Sequence, residues 1–464
     1  MTGAPPCERL TNNQMLHNVN ILPQMNIDDP MKPHPAVTPL FTQPNIRVNL
    51  RQAICALGEA LSLVGIDEQQ HGERVAYMAV SCARQLGWDE ETVDDLFHVA
   101  LLHDLGVSSS RVHKHLIEEM DWEGAELHCV LGEHFLANFT PLAHLSPIIR
   151  HHHTHWDALS GYGLSTQQAL STNLIYLADR VDALNAQFSQ QPHLGVEAKR
   201  SAIAGAITQS RGSRFAPELV DTFLKLADND AFWLALEPLH LAGYIYEMEE
   251  HGQGLLSNYD DIRQLALIFA HIVDAKSDFT YDHSLGVARL SRHLAELAEL
   301  PEQRVALIEI AALLHDLGKL GVPDEILDKP ASLTAEEVTV MHRHSYDTFR
   351  ILRHINGFEQ IAEWAGNHHE TLLGDGYPFH HEQSELGTES RIIMVADIFQ
   401  ALAQDRPYRK GLAPEVILDE LRALWKEGKI DGLLVGLVEE NLDSCARVAT
   451  TATATAAFWP ASLQ

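Results

Sequence analysis

Two stretches of this chain carry nearly the same phrase: Ala100-Leu101-Leu102-His103-Asp104-Leu105-Gly106 and Ala312-Leu313-Leu314-His315-Asp316-Leu317-Gly318. The agreement continues on both sides of them. His71 stands 32 residues before His103, as His283 does before His315, and 24 residues separate both His128 from His152 and His344 from His368. Each half then has a histidine pair, His152-His153 or His368-His369, followed by a loop with Gly161-Tyr162 or Gly376-Tyr377. Each closes on a related phrase, Leu177-Ala178-Asp179-Arg180-Val181-Asp182-Ala183-Leu184 against Val395-Ala396-Asp397-Ile398-Phe399-Gln400-Ala401-Leu402. Spacings kept over this distance mean that one structural unit has been duplicated, so the fold must be two copies of it in tandem.

The unit is helical. Ala306, Ile310, Leu313 and Leu314 recur at three and four residues ahead of the second His-Asp pair, and Leu50, Ile54, Leu57, Ala60, Leu61 and Val64 do so near the start. Strand signals are nearly absent, so the expected class is all-α, with two tandem helical bundles. Gly318 suits a left-handed cap on the helix that delivers His315 and Asp316. The proline-containing stretch 1–45 reads as an extended arm, 46–240 as the first bundle and 262–442 as the second. Residues 241–261 read as a linker hinged at Gly252-Gln253-Gly254, and 443–464, rich in Thr and Ala, as a loosely packed tail.

Composition narrows the partners. A net charge of -31 over 464 residues argues against nucleic acid or an anionic membrane as a broad binding surface, because both need a basic face. A phosphate-bearing substrate would need a local basic pocket or metal ions. The five cysteines are scattered, with no CxxC spacing, which points away from a disulfide framework or a zinc-thiolate site and toward a reducing cytoplasm. No apolar run is long enough to span a bilayer, and the N-terminus lacks a signal-peptide core.

The chemistry lies in the repeated residues. The second half offers His283, His315, Asp316, His344, His368, His369 and Asp397, five imidazoles and two carboxylates. Seven donors exceed what one ion takes, whereas two ions bridged by Asp316 use them and keep positions open for water and substrate. Nitrogen and oxygen donors without thiolate favour iron or manganese over a structural zinc. A satisfied core histidine accounts for any one of these residues alone. It does not account for the recurrence of the whole set.

These residues, with His315-Asp316-Leu317-Gly318-Lys319, His368-His369-Glu370, Gly374-Asp375-Gly376-Tyr377-Pro378 and Asp405-Arg406-Pro407-Tyr408-Arg409, resemble the HD-GYP family of cyclic-dinucleotide phosphodiesterases. The resemblance covers the second half, and the first half looks like a divergent copy. It implies a helical bundle with a two- or three-metal centre and hydrolysis of cyclic di-GMP to pGpG and GMP, in second-messenger signalling. Asp316 and Lys319 are the expected catalytic pair. Lys319 would reach a phosphate oxygen or protonate the leaving oxygen, Arg406 and Arg409 would hold the second phosphate, and Gly376, Tyr377 and Pro378 would shape the substrate loop. The family's tyrosine loop also implies contact with diguanylate-cyclase (GGDEF) partners.

Departures from the family pattern matter. Leu373 stands where the loop usually has an aspartate, so a looser loop is expected. Phe279 stands where some members carry a glutamate for a third metal, which favours two ions. The first half keeps a possible metal set in His71, His103, Asp104, His128, His152, His153 and Asp179, with Asp67 sharing a helix face with His71 as an eighth donor. Its cations are missing: Val107 replaces the lysine, and Phe188 and Gln191 the arginines. A regulatory role is the expectation for it. Hydrolysis of hybrid cyclic GMP-AMP, a metal- or nucleotide-sensing scaffold with little turnover, and a phosphohydrolase of monomeric nucleotides are the rival readings. Oligomeric state, a homodimer included, is left open by the sequence.

Overall fold

The computed structural model describes residues 48–65, 70–118, 124–191, 193–251, 256–277, 282–405 and 410–451. The arm at 1–45, Asp67, Gly252-Gln253-Gly254, Phe279, Arg406 and Arg409 lie outside them. The described residues are almost wholly helical, with a single antiparallel pair of two-residue strands, Val48–Asn49 and Leu256–Ser257.

The duplication is visible helix by helix. In the first half, helices His71–Leu86 and Glu90–Leu101 pack together and the long helix Thr166–Ser189 lies against the former. In the second half, His283–Leu297, Glu302–Leu314 and Thr388–Ala403 repeat this arrangement. Ala125–Ala137 packs on Ser146–His151 in one half, as Ala335–Arg353 does on Glu359–Gly366 in the other. Capping boxes at Ser165/Gln168 and Thr334/Glu337 fix two of the starts by satisfying orphan backbone N–H groups.

Three sequence expectations change. Gly318 is not a left-handed cap. A side chain there would put its Cβ 2.1 Å from the His344 carbonyl oxygen, and Gly106 stands at the same 2.1 Å from that of His128. Glycine is needed so that the turn after each His-Asp pair can touch the next ligand-bearing helix. Second, the helix of His71 starts at His71 itself, after Gln70 at φ 68, just as that of His283 follows Asp282 at φ 65, and Asp67 lies outside the described residues. Third, 241–261 is not an irregular linker. It contains most of the helix Pro238–His251, which packs on the first-half helices, and the strand Leu256–Ser257. Within 443–464, residues up to Thr450 continue the helix Leu442–Thr450, which buries Cys445 and Ala449 against the His283 helix. Buried apolar positions four residues apart, not composition, decide that segment.

The two halves form one compact unit with a continuous apolar core. Helix Leu50–Ser62 packs on the first-half helices and also on Ala335–Arg353, where Arg350 donates to Glu59 at 2.5 Å. A buried pair joins the segments that follow the two His-Asp phrases. Lys276 Nζ lies 3.2 Å from Asp324 Oδ1 and donates to the Ser108 carbonyl at 3.2 Å, while Ser109 Oγ donates to Asp324 Oδ2 at 2.7 Å. Both charged side chains are 1% exposed or less.

Two predictions follow from these burials. Asp324→Ala leaves the Lys276 ammonium buried without its counterion, and chemical denaturation should register a loss of about 3 kcal/mol or more. Lys276→Met combined with Asp324→Leu should recover much of it. Burial, aided by Arg51, lowers His98 to about 4, and burial lowers His271 to about 4. A depressed histidine contributes stability that is complete above its unfolded value near 6.5 and is lost as the pH falls toward 4, by up to about 3 kcal/mol per group. Thermal melts between pH 7 and 4 should therefore show a steep acid decline, blunted in His98→Gln.

Candidate metal centre

Asp316 is the centre of the second-half site. Its side chain is 3% exposed, and its two oxygens face different histidines. Oδ2 lies 3.2 Å from His315 Nε2 and 3.7 Å from His283 Nε2; Oδ1 lies 3.5 Å from His344 Nε2 and 3.7 Å from His368 Nε2. Asp397 Oδ1 closes the first group at 3.2 Å from His283. His369 joins His344 and His368 on the other side. Donors bound at about 2.1 Å to one ion lie roughly this far apart. A carboxylate with one oxygen toward each group has the geometry of a bridge.

The imidazoles are aimed by their other nitrogens. His315, His344 and His368 each donate from Nδ1 to the carbonyl three residues earlier, Ala312, Met341 and Ala365, at 2.8, 2.6 and 2.6 Å. His283 Nδ1 meets Gln400 Oε1 at 2.5 Å. These bonds put the proton on Nδ1 and leave Nε2 bare toward the centre, the tautomer a metal ligand needs. Burial pushes His344 down to about 3 and His369 down to about 4, keeping both neutral. For Asp316, burial acts upward, but His315 and Lys319 outweigh it and hold the carboxyl well below its usual range.

The cluster fits divalent metal binding. His315 Nε2 and Asp316 Oδ1 are buried without a hydrogen-bond partner, a deficit of about 1–3 kcal/mol each that coordination would remove. Lys319 Nζ sits 2.5 Å from Asp316 Oδ2 with its side chain 21% exposed, at the open edge of the cluster.

The tyrosine loop is held more firmly than Leu373 suggests. Glu370, 1% exposed, accepts the backbone N–H groups of Phe379 and His380 on one oxygen and of His381 on the other, at 2.7, 3.1 and 3.2 Å. Leu372 donates to the Lys429 carbonyl at 2.9 Å, and Thr371 hydrogen-bonds Asp375. The carboxylate that organises this loop is Glu370, so the aspartate missing at 373 is not required. Gly376 is obligatory, because a Cβ there would lie 2.4 Å from Glu370 Cα. Tyr377 and Pro378 follow it beside the ligands, the Tyr377 ring 4.8 Å from that of His369.

The first half assembles the same shape with different surroundings. Asp104 Oδ2 lies 3.6 and 3.8 Å from His103 and His71, and Oδ1 lies 3.6 Å from His128, which approaches His152 at 3.1 Å. Asp179 lies 3.5 Å from His71 and 3.9 Å from His153. Sequence reasoning overlooked four residues here. Asp182 replaces Gln400, meeting His71 Nδ1 at 2.7 Å and Arg74 at 2.6 Å. Arg180, 2% exposed, donates to Asp179 at 2.9 Å, and Cys129 lies 3.7 Å from His128 Nε2. Burial acts to lower His71, yet Asp182, Asp179 and Asp104 together raise it to about 9. The Asp182 signal was in the repeat itself, opposite Gln400, but its partner is 111 residues away in sequence. Val107, at the lysine position, lines a cavity of about 20 Å³ with His71, His103, Asp104 and His113, room for about one water.

Paired histidine-aspartate clusters of this kind, each at the heart of a helical bundle, define a metal-dependent phosphodiesterase. The HD domain family profile matches residues 69–184 and again, in a second form, residues 268–434. The 3'3'-cGAMP-specific phosphodiesterase 1 of Vibrio cholerae is 37% identical over 403 residues, 85% of this chain and 92% of that protein. A cyclic di-GMP phosphodiesterase of Thermotoga maritima is 34% identical over 183 residues, 39% of this chain and 50% of that protein. A crystal structure of a cyclic GMP-AMP specific phosphodiesterase of V. cholerae superposes with a TM-score of 0.60 at 24% identity, over 86% of this chain and 98% of that one, and shares the fold. The chain belongs to the HD-GYP family of cyclic-dinucleotide phosphodiesterases and carries two HD domains. Among the described residues no helix is long and apolar enough to cross a membrane.

Gln400 is the outer support of His283. Gln400→Leu should weaken metal affinity about tenfold or more, measured by competition with a chromophoric chelator, with the helical circular dichroism unchanged.

Proposed function

We propose that the second half hydrolyses 3'3'-linked cyclic GMP-AMP, opening it to the linear dinucleotide, with cyclic di-GMP as the slower substrate. The observation that supports the choice is the V. cholerae enzyme specific for cyclic GMP-AMP, to which this chain is 37% identical over 85% of its length. Our preference thus departs from the cyclic di-GMP reading that the motifs alone suggested.

In this reading His283, His315, Asp316 and Asp397 hold one ion and Asp316, His344, His368 and His369 the other, iron or manganese by donor type. Bound there, the ions supply an activated water and neutralise charge on the phosphoryl oxygens. The chain's own residues do the rest. Imidazoles anchored through Nδ1 keep the donors fixed, so that no reorganisation is needed during the reaction. Lys319, at the open edge beside Asp316, takes a non-bridging phosphate oxygen or delivers a proton to the departing 3' oxygen. Gly376 and Pro378 hold the loop under the substrate, and Arg406 and Arg409 are assigned to the second phosphate. The exposed side of the same loop, with Leu373 at its tip, is the surface we assign to a diguanylate-cyclase partner.

The first domain is assigned a regulatory role. It has no cation at the lysine position, and the cavity beside Val107 is far too small for a dinucleotide. Any ion at His71, His103, Asp104, His128, His152, His153 and Asp179 would act on the second domain through the Lys276–Asp324 junction.

An anaerobic, iron- or manganese-loaded preparation tests the reading. Cyclic GMP-AMP should be cleaved with kcat/KM above that for cyclic di-GMP, and the reverse order would restore cyclic di-GMP as the substrate. Asp316→Ala should lose second-domain metal and all turnover. Lys319→Ala should keep its metal and lose about 100-fold or more in kcat, and unchanged kcat in that variant would remove Lys319 from the chemistry.

A further inference from the structure

The tyrosine of the loop is not free to receive a base. His342 stacks on the Tyr377 ring with centroids 3.6 Å apart and planes within 6°. His369 lies 4.8 Å from the same ring at a tilt of 35°. A face holding one ring at 3.6 Å has no room for another. Tyr377 therefore has one face taken by His342, and the His369 imidazole packs against it as well.

The three rings form a ladder that begins at a ligand of the metal centre and ends at His342. All three rings are partly exposed, and burial, followed by Asp316 and Asp397, drives the Tyr377 hydroxyl far above its ordinary range. His342 is the outermost rung and is partly exposed. It stands two residues before His344 on the helix Ala335–Arg353, so its position is fixed by the same helix that carries a metal ligand. Its ring, stacked flat on Tyr377, presents its other face away from that tyrosine.

We propose that His342 is the base-stacking residue of the site: a purine of the bound cyclic dinucleotide lies on the outer face of His342 and extends the ladder by one more ring. The inference rests on the cyclic-dinucleotide reading above. A phosphodiester seated at the metal centre carries its nucleoside bases outward, and among the described residues the end of that ladder is His342. Tyr377 supports the platform and does not touch the base. The first domain lacks the arrangement, since Glu126 stands two residues before His128 and Tyr162 rests instead on His151, 4.3 Å away and 54% exposed.

The test is a cycle between protein and substrate, run on the metal-loaded full chain with cyclic GMP-AMP and with a cyclic dinucleotide backbone lacking both bases. Stacking on an aromatic residue contributes about 1–3 kcal/mol per base, roughly a five- to 150-fold effect on affinity. His342→Ala should raise KM for cyclic GMP-AMP by about tenfold with kcat within twofold, and His342→Phe should restore it. On the abasic backbone the same substitution should change nothing. If His342→Ala weakens the abasic backbone as much as the intact dinucleotide, the residue only braces Tyr377 and the proposal falls. An unchanged KM for cyclic GMP-AMP, at normal metal content, would also overturn it. Failure of the wild-type chain to cleave any cyclic dinucleotide would instead refute the functional reading, and the two failures are separated by the wild-type assay.

Discussion

The site depends on one carboxylate pulled in two directions. Asp316 is buried, and a buried carboxylate is costly unless each of its oxygens meets compensating charge or donors. Here Oδ2 faces His283 and His315 and Oδ1 faces His344 and His368, with the carbonyls three residues before His315, His344 and His368 dictating their tautomer. Everything around it serves that division. The Glu302 helix stops at Leu314 so that His315 and Asp316 lie at its end, and Gly318 lets the following turn press on the His344 carbonyl. Divalent metal is the partner to which this arrangement of bare nitrogens and unpaired oxygen is complementary.

The two domains keep this frame and differ in what surrounds it. In the second, His283 leans on a neutral amide, Gln400, and the cation at the edge is Lys319, partly open to solvent. In the first, His71 leans on a charged carboxylate, Asp182, itself clamped by Arg74, and the cation is Arg180, buried against Asp179. An edge cation that solvent can reach is available to an incoming phosphate. A buried, ion-paired guanidinium is committed to the protein. The physical difference between the halves is thus the position of positive charge, and it parallels the division between hydrolysis and regulation proposed for them. Their junction is equally specific, because a Lys–Asp pair sealed from water links the segments that follow the two His-Asp phrases.

Much of this was legible in the chain. The duplicated intervals gave the tandem helical units, and the seven second-half donors converge because each sits at a fixed place relative to a helix end. Other features were not legible. Gly318 reads as a cap from local sequence, but its role is contact with His344, 26 residues on, which no local pattern encodes. Leu373 suggested a loose loop, while Glu370, which gathers three backbone N–H groups, could be recognised only once the loop had folded over it. The segment 241–261 and the residues just after 442 were underestimated because their helices are stabilised by packing on distant elements, and tertiary contact outweighs weak local composition.

By itself the sequence determined the ligand types, their order and their spacing, and therefore the all-α duplicated frame and the metal chemistry, because helical periodicity and donor identity are local properties written residue by residue. Only the tertiary structure decided which oxygen of Asp316 meets which histidines, that in the first domain Asp182 stands in the place of Gln400 and Arg180 is the buried cation, and that Tyr377 is covered by His342. Those outcomes arise from approaches between residues far apart in the chain, where burial and distance, not composition, set the energy.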